Sequence, residues 1–210
     1  MPSTVHAVPA RPHRGRHPFR PGAAPEGPRY GGTVTTPLGT TRVRRARSEE
    51  YAAVGELTLQ AYDADGLLSS ADETDDVYAP QLRDASRRDA EAEVWVAVDD
   101  ADAVLGTVTW CPPGSPWREL AGGRDQAEFR MLAVPPAHRG RGVARELVAW
   151  CVRRASAEGM REILLSSLPA MTAAHGLYLS AGFRRAPELD HRPIPTVLLW
   201  AFRRDLPVAG

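Results

Sequence analysis

Between Arg139 and Ala144 the chain reads Arg-Gly-Arg-Gly-Val-Ala, a run whose residue types suit the binding of phosphate. Gly140 and Gly142 permit backbone conformations closed to other residues and let a diphosphate approach the main chain, while Arg139 and Arg141 add positive charge. Upstream, the apolar run Phe129–Val134 reads as a strand that stops at Pro135-Pro136, because proline cannot donate to a sheet ladder. Downstream, Ala144, Leu147, Val148, Cys151 and Ala155 recur at helical spacing and form one apolar stripe. A strand, a glycine-rich turn and a helix in succession aim free N–H groups and the positive end of a helix dipole at one spot, where an anion binds. The same residues also make an ordinary strand-to-helix turn. Two nucleotide-binding readings fail in detail. No Gly-Lys-Ser/Thr ending completes a Walker-type loop, and Arg145 stands where a dinucleotide fingerprint needs its third glycine.

The elements around this turn are legible in order. Val43 begins a short strand, and Ser48-Glu49-Glu50 reads as a helix start leading into Tyr51, Val54, Leu57 and Leu59 and fading at Tyr62–Gly66. An acidic loop with Asp65, Asp72, Glu73 and Asp75 follows, either a solvated loop or a mouth that attracts a cationic amine. The pattern then predicts a helix over 77–90. Val94–Val98 and Val104–Trp110 are β-rich and flank a turn of hairpin composition, after which a Pro/Gly loop from Pro112 to Gly123 carries Trp117. Beyond the central strand and helix, Ile163-Leu164-Leu165 reads as a buried strand parallel to its neighbour through the crossover helix. Ala174, Leu177, Tyr178 and Ala181 form a short helix closed by Gly182, and Val197–Phe202 is a final strand. The order β-α-α-β-β-β-α-β-α-β-β is a mixed α/β layer.

Composition narrows the function classes. With 210 residues, 43% hydrophobic and 25% charged, the chain has the make-up of one globular domain with a real core. Zero net charge argues against a nucleic-acid binder, and no run of about 18 apolar residues exists to span a membrane. Cys111 and Cys151 fall inside predicted elements, which fits a reducing cytoplasm better than a disulfide framework or a metal site. The chain has no lysine, so every basic side chain is arginine or histidine and no autoacetylated lysine can take part in a mechanism. Residues 1–40 are rich in Pro, Gly and Arg without apolar period, which predicts disorder, and no apolar stretch follows the early charges as a signal peptide would require. That basic tail could touch nucleic acid or anionic lipid, or be an unselected extension.

Two motifs carry a family resemblance. Arg139, Gly142 and Ala144 match the pattern Gln/Arg-x-x-Gly-x-Gly/Ala behind a Met-Leu-Ala-Val-Pro strand end, and Leu177-Tyr178 followed by Ala181-Gly182-Phe183 matches Leu-Tyr-x-x-x-Gly-Phe. Together and in this order they resemble the GNAT superfamily of N-acetyltransferases, over about Thr41 to Leu206, with 1–40 and 207–210 as tails. The resemblance implies the GNAT acyl-CoA N-acyltransferase fold, a mixed central sheet in which two parallel strands splay between flanking helices. It also implies acetyl-CoA as cosubstrate, no metal, and an amine acceptor attacking the thioester directly. A pantetheine arm would then contact Leu132, Ala133 and Val134, and the pyrophosphate would sit on Arg139, Gly140, Arg141, Gly142, Val143 and Ala144.

Tyr178 occupies the position that serves as acid toward the thiolate in many family members, although it shares a face with core residues. Glu128, at the start of the central strand, is the candidate base, or else a partner of Arg130. A backbone N–H near Leu132 or Ala133 would support the oxyanion, and His175 or His191 could also move protons. Candidate acceptor-site residues are Tyr62, Asp65, Tyr78, Trp110, Trp117 and His191, a set suited to a small amine with an apolar body. One departure stands out. Met171 occupies the position, seven residues before Tyr178, where many members carry asparagine. A non-catalytic acyl-CoA sensor or scaffold would share the same cofactor loop, and homodimerisation is left open.

Overall fold

The computed structural model describes residues 41–68 and 73–207; the basic stretch 1–40, Asp72 and the side chains of Glu73 and Asp75 lie outside the described set. Among the described residues, eight strands form the sheet: β1 (Arg42–Arg45), β2 (Glu93–Val98), β3 (Val104–Cys111), β4 (Gln126–Ala133), β5 (Glu162–Ser167), β6 (Arg184–Arg185), β7 (His191–Ile194) and β8 (Val197–Asp205). Their order is β1-β2-β3-β4-β5-β8-β6, with β7 paired to β8. β4 and β5 run parallel and the other pairs antiparallel. A mixed α/β sheet with one parallel pair at its centre is the architecture expected from the order of elements.

The α-helices of the described residues that cover the sheet are α1 (Tyr51–Asp63), α2 (Glu73–Arg83), α3 (Ala85–Glu91), α4 (Val143–Ala157) and α5 (Thr172–Ser180). On one face the α4 stripe Leu147, Val148, Cys151 and Ala155 packs with Val108, Trp110, Phe129 and Ile163. On the other, Ala61, Tyr62 and Leu82 of α1 and α2 pack with Met131 and Ala133. The single helix expected over 77–90 is two. Asp84 leaves the helical region (φ −83°, ψ 71°), and its carboxylate accepts from the Arg87 N–H at 2.9 Å, capping α3. The wholly buried Arg88 of α3 then bonds Thr109 Oγ1 of β3 at 2.9 Å, Thr58 Oγ1 of α1 at 3.2 Å and the Leu82 carbonyl at 3.0 Å. Burial pulls its pKa down to about 10. At Gly55 a Cβ would lie 1.9 Å from the Arg83 carbonyl oxygen, so only glycine lets α1 meet the end of α2.

Between β2 and β3 the acidic turn is built as its composition demands. The Asp99 carboxylate accepts from the N–H groups of Ala101 and Ala103 at 3.0 and 2.9 Å, and Asp102 takes the left-handed conformation that aspartate tolerates. Asp102 then gathers Arg42, Arg44 and Arg47 around its carboxylate, tying the edge strand to the hairpin. Among the described residues no helix is long and apolar enough to cross a membrane.

Candidate active site

The centre of the sheet comes apart where the chemistry was expected. β4 and β5 pair only through Gln126↔Glu162, Ala127↔Ile163 and Glu128↔Leu164. Beyond those rungs, β4 continues to Ala133 and β5 to Ser167 without each other. The unpaired edges leave backbone donors and acceptors facing a wedge-shaped gap, and such groups need partners. Phe129, Arg130, Met131 and Leu132 wall it from β4, Leu165 and Ser166 from β5, and Tyr62, Met171 and Tyr178 from the helices.

A β-bulge shapes the β4 wall. Met131 has φ 51°, rare for a side-chain-bearing residue, and the β3–β4 register shifts between Thr107↔Ala133 and Thr109↔Arg130. The bulge reverses the phase of the side chains. Phe129 faces the α4 core, whereas Met131 and Ala133 face α1. Periodicity along 129–134 carries no signal of this, since a run of apolar residues reads the same in either phase.

At the mouth of the wedge, Gly140 and Gly142 have φ 73° and 80°, and nothing lies within 4 Å of where a Cβ would project from either. Gly142 caps α4, whose first helical bond is Glu146 N–H to the Gly142 carbonyl at 3.0 Å. The N–H groups of the first turn therefore remain free and point outward. This open, N–H-lined turn fits a phosphate group. Arg139 is engaged within the protein. Its guanidinium turns back to Asp65 (2.8 and 3.1 Å), to the Ala61 carbonyl at 3.3 Å and to the Val134 carbonyl at 3.0 Å. Asp65 and Arg139, read as acceptor and cofactor residues, hold each other and fasten the turn to the end of α1, and the Val134 carbonyl accepts from Arg139.

Tyr178 lies in the gap wall on α5, with its ring against Phe129, Phe183 and Phe202 at centroid distances of 6.4, 6.1 and 5.7 Å. Burial pushes its phenol above the ordinary tyrosine range, and no hydrogen bond opposes the shift. Tyr62 also lines the gap and meets Tyr78 edge-on at 6.1 Å, and desolvation raises both phenols. Met171 supplies a thioether to the wall, and its sulfur lies 3.5 Å from the Ser167 hydroxyl.

Glu128 is placed otherwise than a base would be. Its side chain is wholly buried, and its carboxylate accepts from the N–H groups of Glu119 (3.0 and 3.2 Å), Leu120 (3.0 Å) and Ala121 (2.9 Å). It pins the β3–β4 loop against β4, with three backbone N–H groups committed to its carboxylate. Nor does it pair with Arg130. That guanidinium bridges Glu119 at 2.7 Å and the Trp117 carbonyl at 3.0 Å. Glu119 reaches on to His191 Nε2 at 3.2 Å, while His191 Nδ1 is buried without a partner. The pair His191–Glu119 thus adjoins Arg130 in the gap wall, a cluster that 72 residues of sequence separation concealed.

Two expected acceptor residues belong elsewhere. Trp110 is fully buried on the α4 face under the Arg154 guanidinium, 4.9 Å from its ring, because residues facing α1 on β3 are its neighbours Thr109 and Cys111. Trp117 is buried, with its indole N–H donated to Glu91 at 3.0 Å. His175 is structural: its Nε2 meets Ser167 Oγ and the Leu168 carbonyl, and its ring stacks on Trp200 at 5.4 Å.

The acetyltransferase (GNAT) family profile matches residues 53–183, more than half of the 210 residues, and the chain belongs to that family. Rat N-acetyltransferase 8B is 33% identical over 94 residues, 45% of this chain and 40% of the relative, so the match spans about two fifths of that protein's length. A GCN5-related N-acetyltransferase structure from Kribbella flavida aligns at 28% identity with a TM-score of 0.57, covering 79% of this chain and 98% of its own. The fold is also that of yncA from Salmonella typhimurium, solved with its cofactor acetyl-CoA, at TM-score 0.55, 21% identity and coverage of 82% and 97%.

Proposed function

We propose that the chain is an acetyl-CoA-dependent N-acetyltransferase that passes an acetyl group to the primary amine of a small molecule by direct attack. The observation that carries this reading is the wedge itself: two parallel strands parted beyond Glu128↔Leu164, with the Tyr178 ring in the wall and an open, glycine-capped helix start at the mouth. Bound there, acetyl-CoA supplies the activated acetyl group. Main-chain groups of Leu132 and Ala133 are assigned to its extended pantetheine arm, which an unpaired strand edge recognises as an added strand. Backbone N–H groups from Gly140 to Ala144, with Arg141, hold the pyrophosphate, and Arg139 shapes that turn through Asp65.

Tyr178 is assigned the proton given to the departing thiolate: burial keeps its phenol protonated at neutral pH, and the same burial makes it a weaker acid than a free tyrosine. An N–H beside the Met131 bulge stabilises negative charge on the acetyl oxygen. Because the Glu128 carboxylate is wholly buried and accepts from three backbone N–H groups, removal of the amine proton is assigned to His191, whose Nε2 faces Glu119, the acid that also holds Arg130 of the gap wall. Tyr62, Met131, Leu132 and Met171 favour an acceptor with an apolar body. Two free, buried cysteines fit a cytoplasmic setting.

Calorimetric titration with acetyl-CoA, with succinyl-CoA and ATP as comparisons, tests the cofactor. Thiol release over polyamines, amino acids, aminoglycosides and amino-terminal peptides tests the acceptor. Preferential binding of acetyl-CoA and turnover on one amine class are expected. Folded protein that binds no acyl-CoA would overturn the reading.

A further inference from the structure

A second concave site lies away from the wedge, in the β3–β4 loop. Pro113, Gly114, Arg118, Gly122, Gly123 and Arg124 line a surface pocket of about 300 Å³ that is open to solvent. Both cations in its wall lack acids: among the described residues, Asp125 pairs with Arg161 at 3.1 Å and Glu119 with Arg130 at 2.7 Å, and neither Arg118 nor Arg124 has a carboxylate within ion-pair distance. Arg118 is held in place by donating to the Gly123 carbonyl at 3.0 Å and to the Gln126 carbonyl, while its Nε is buried with no hydrogen-bond partner. A buried donor on a charged group is costly to leave unpaired. The wall is kept low by glycine, for nothing lies within 4 Å of the Cβ position of Gly114 or Gly122.

We propose that this loop is a receptor for the phosphate group of a small molecule. Two unneutralised guanidiniums balance a doubly charged oxyanion, and arginine presents its N–H groups as a fork that matches phosphate. The pocket exceeds what one ion fills, which leaves room for an organic body. Since Arg118 directly precedes Glu119, the occupied site adjoins the Glu119–His191 pair without sharing any residue with the acetyl-CoA turn.

Calorimetric titration of the full chain with inorganic phosphate and with glycerol phosphate tests this independently of acetyl transfer. Arg124→Gln removes an exposed guanidinium and leaves the loop's hydrogen bonds intact, so it reports binding rather than folding. Arg118→Gln is read alongside a thermal melt. Saturable binding that weakens at least tenfold in Arg124→Gln and survives in Gly142→Val supports the site. Tighter binding of the ester assigns it to a phosphorylated molecule, and equal affinity assigns it to the free ion. Phosphate binding that is unchanged in both arginine variants, lost in Gly142→Val, or absent altogether overturns it.

Discussion

Glu128 and Glu119 are joined through the backbone: both oxygens of the buried Glu128 carboxylate accept from the Glu119 N–H, at 3.0 and 3.2 Å. An acid on the central strand thereby fixes a loop whose own acid faces His191 and Arg130. Removing it strands buried N–H donors, so Glu128→Ala should destabilise the fold by about 3 kcal/mol or more, and Glu128→Gln, which keeps one acceptor oxygen, by about 1–3 kcal/mol. Chemical denaturation of both variants checks the order. Equal stability of wild type and Glu128→Ala would contradict the clamp.

The Asp65–Arg139 pair is about two-fifths exposed on each side, which limits its strength. Asp65→Ala should cost no more than about 1 kcal/mol in stability. If Arg139 shapes the turn through this contact, acetyl-CoA affinity should fall by a few-fold in Asp65→Ala and by a similar factor in Arg139→Ala, with the double variant no worse than either. Additive losses in the double-mutant cycle would show that Arg139 acts on the ligand by itself.

At Gly142 the backbone is left-handed and the space above it open. Gly142→Val should cost about 1–2 kcal/mol for the conformation and place a side chain where a phosphate would approach. Acetyl-CoA affinity is expected to drop at least tenfold by calorimetry, and an unchanged affinity would mark the loop as a turn only.

Two substitutions separate the proton transfers. Tyr178→Phe should lower kcat about 100-fold or more with little change in acetyl-CoA affinity. His191→Gln should lower kcat/KM at least about tenfold with acetyl-CoA affinity unchanged, while a His191 variant that keeps the wild-type kcat/KM would remove histidine from the mechanism.

His175 makes stability depend on pH. Its burial holds the imidazole below its ordinary pKa, so the unfolded chain binds the proton more readily. The contribution is present above about pH 6.5, the unfolded value, and is lost as pH falls through and below it. Carboxylates whose pKa is depressed by arginine, such as Glu50 and Asp190, lose their contribution only at lower pH. Melting temperatures between about pH 7.5 and 5.5 should therefore fall in the wild type and fall less in His175→Gln.

The fold was largely legible because it rests on local signals. The α4 stripe from Ala144 to Ala155, the Pro135-Pro136 stop and the Asp99 turn each state their structure within a few residues. The glycine turn before α4 and the helix that carries Tyr178 were readable for the same reason, since Gly142 and Tyr178 sit in contiguous motifs. Expectation failed where side chains meet across the fold. Nothing in the sequence says that Arg139 turns toward Asp65, 74 residues away, or that Glu128 meets the backbone of the loop before it. Trp110 was misplaced because strand alternation does not reveal which face is which, and the Met131 bulge exchanges the two faces midway along β4.

The parting of β4 from β5 also bears on mechanical integrity. The strands β1–β4 and the strands β5–β8 are stitched together across the sheet by three rungs, fewer than the six that join β5 to β8. A molecule seated in the wedge would act as mortar between the halves, and its binding energy would become cohesion of the protein, growing as RT ln(1 + [L]/Kd). The substrate of such a protein is also part of its masonry, so the supply of acyl-CoA around it would set how long it survives heat and proteolysis, whether or not an acceptor is at hand.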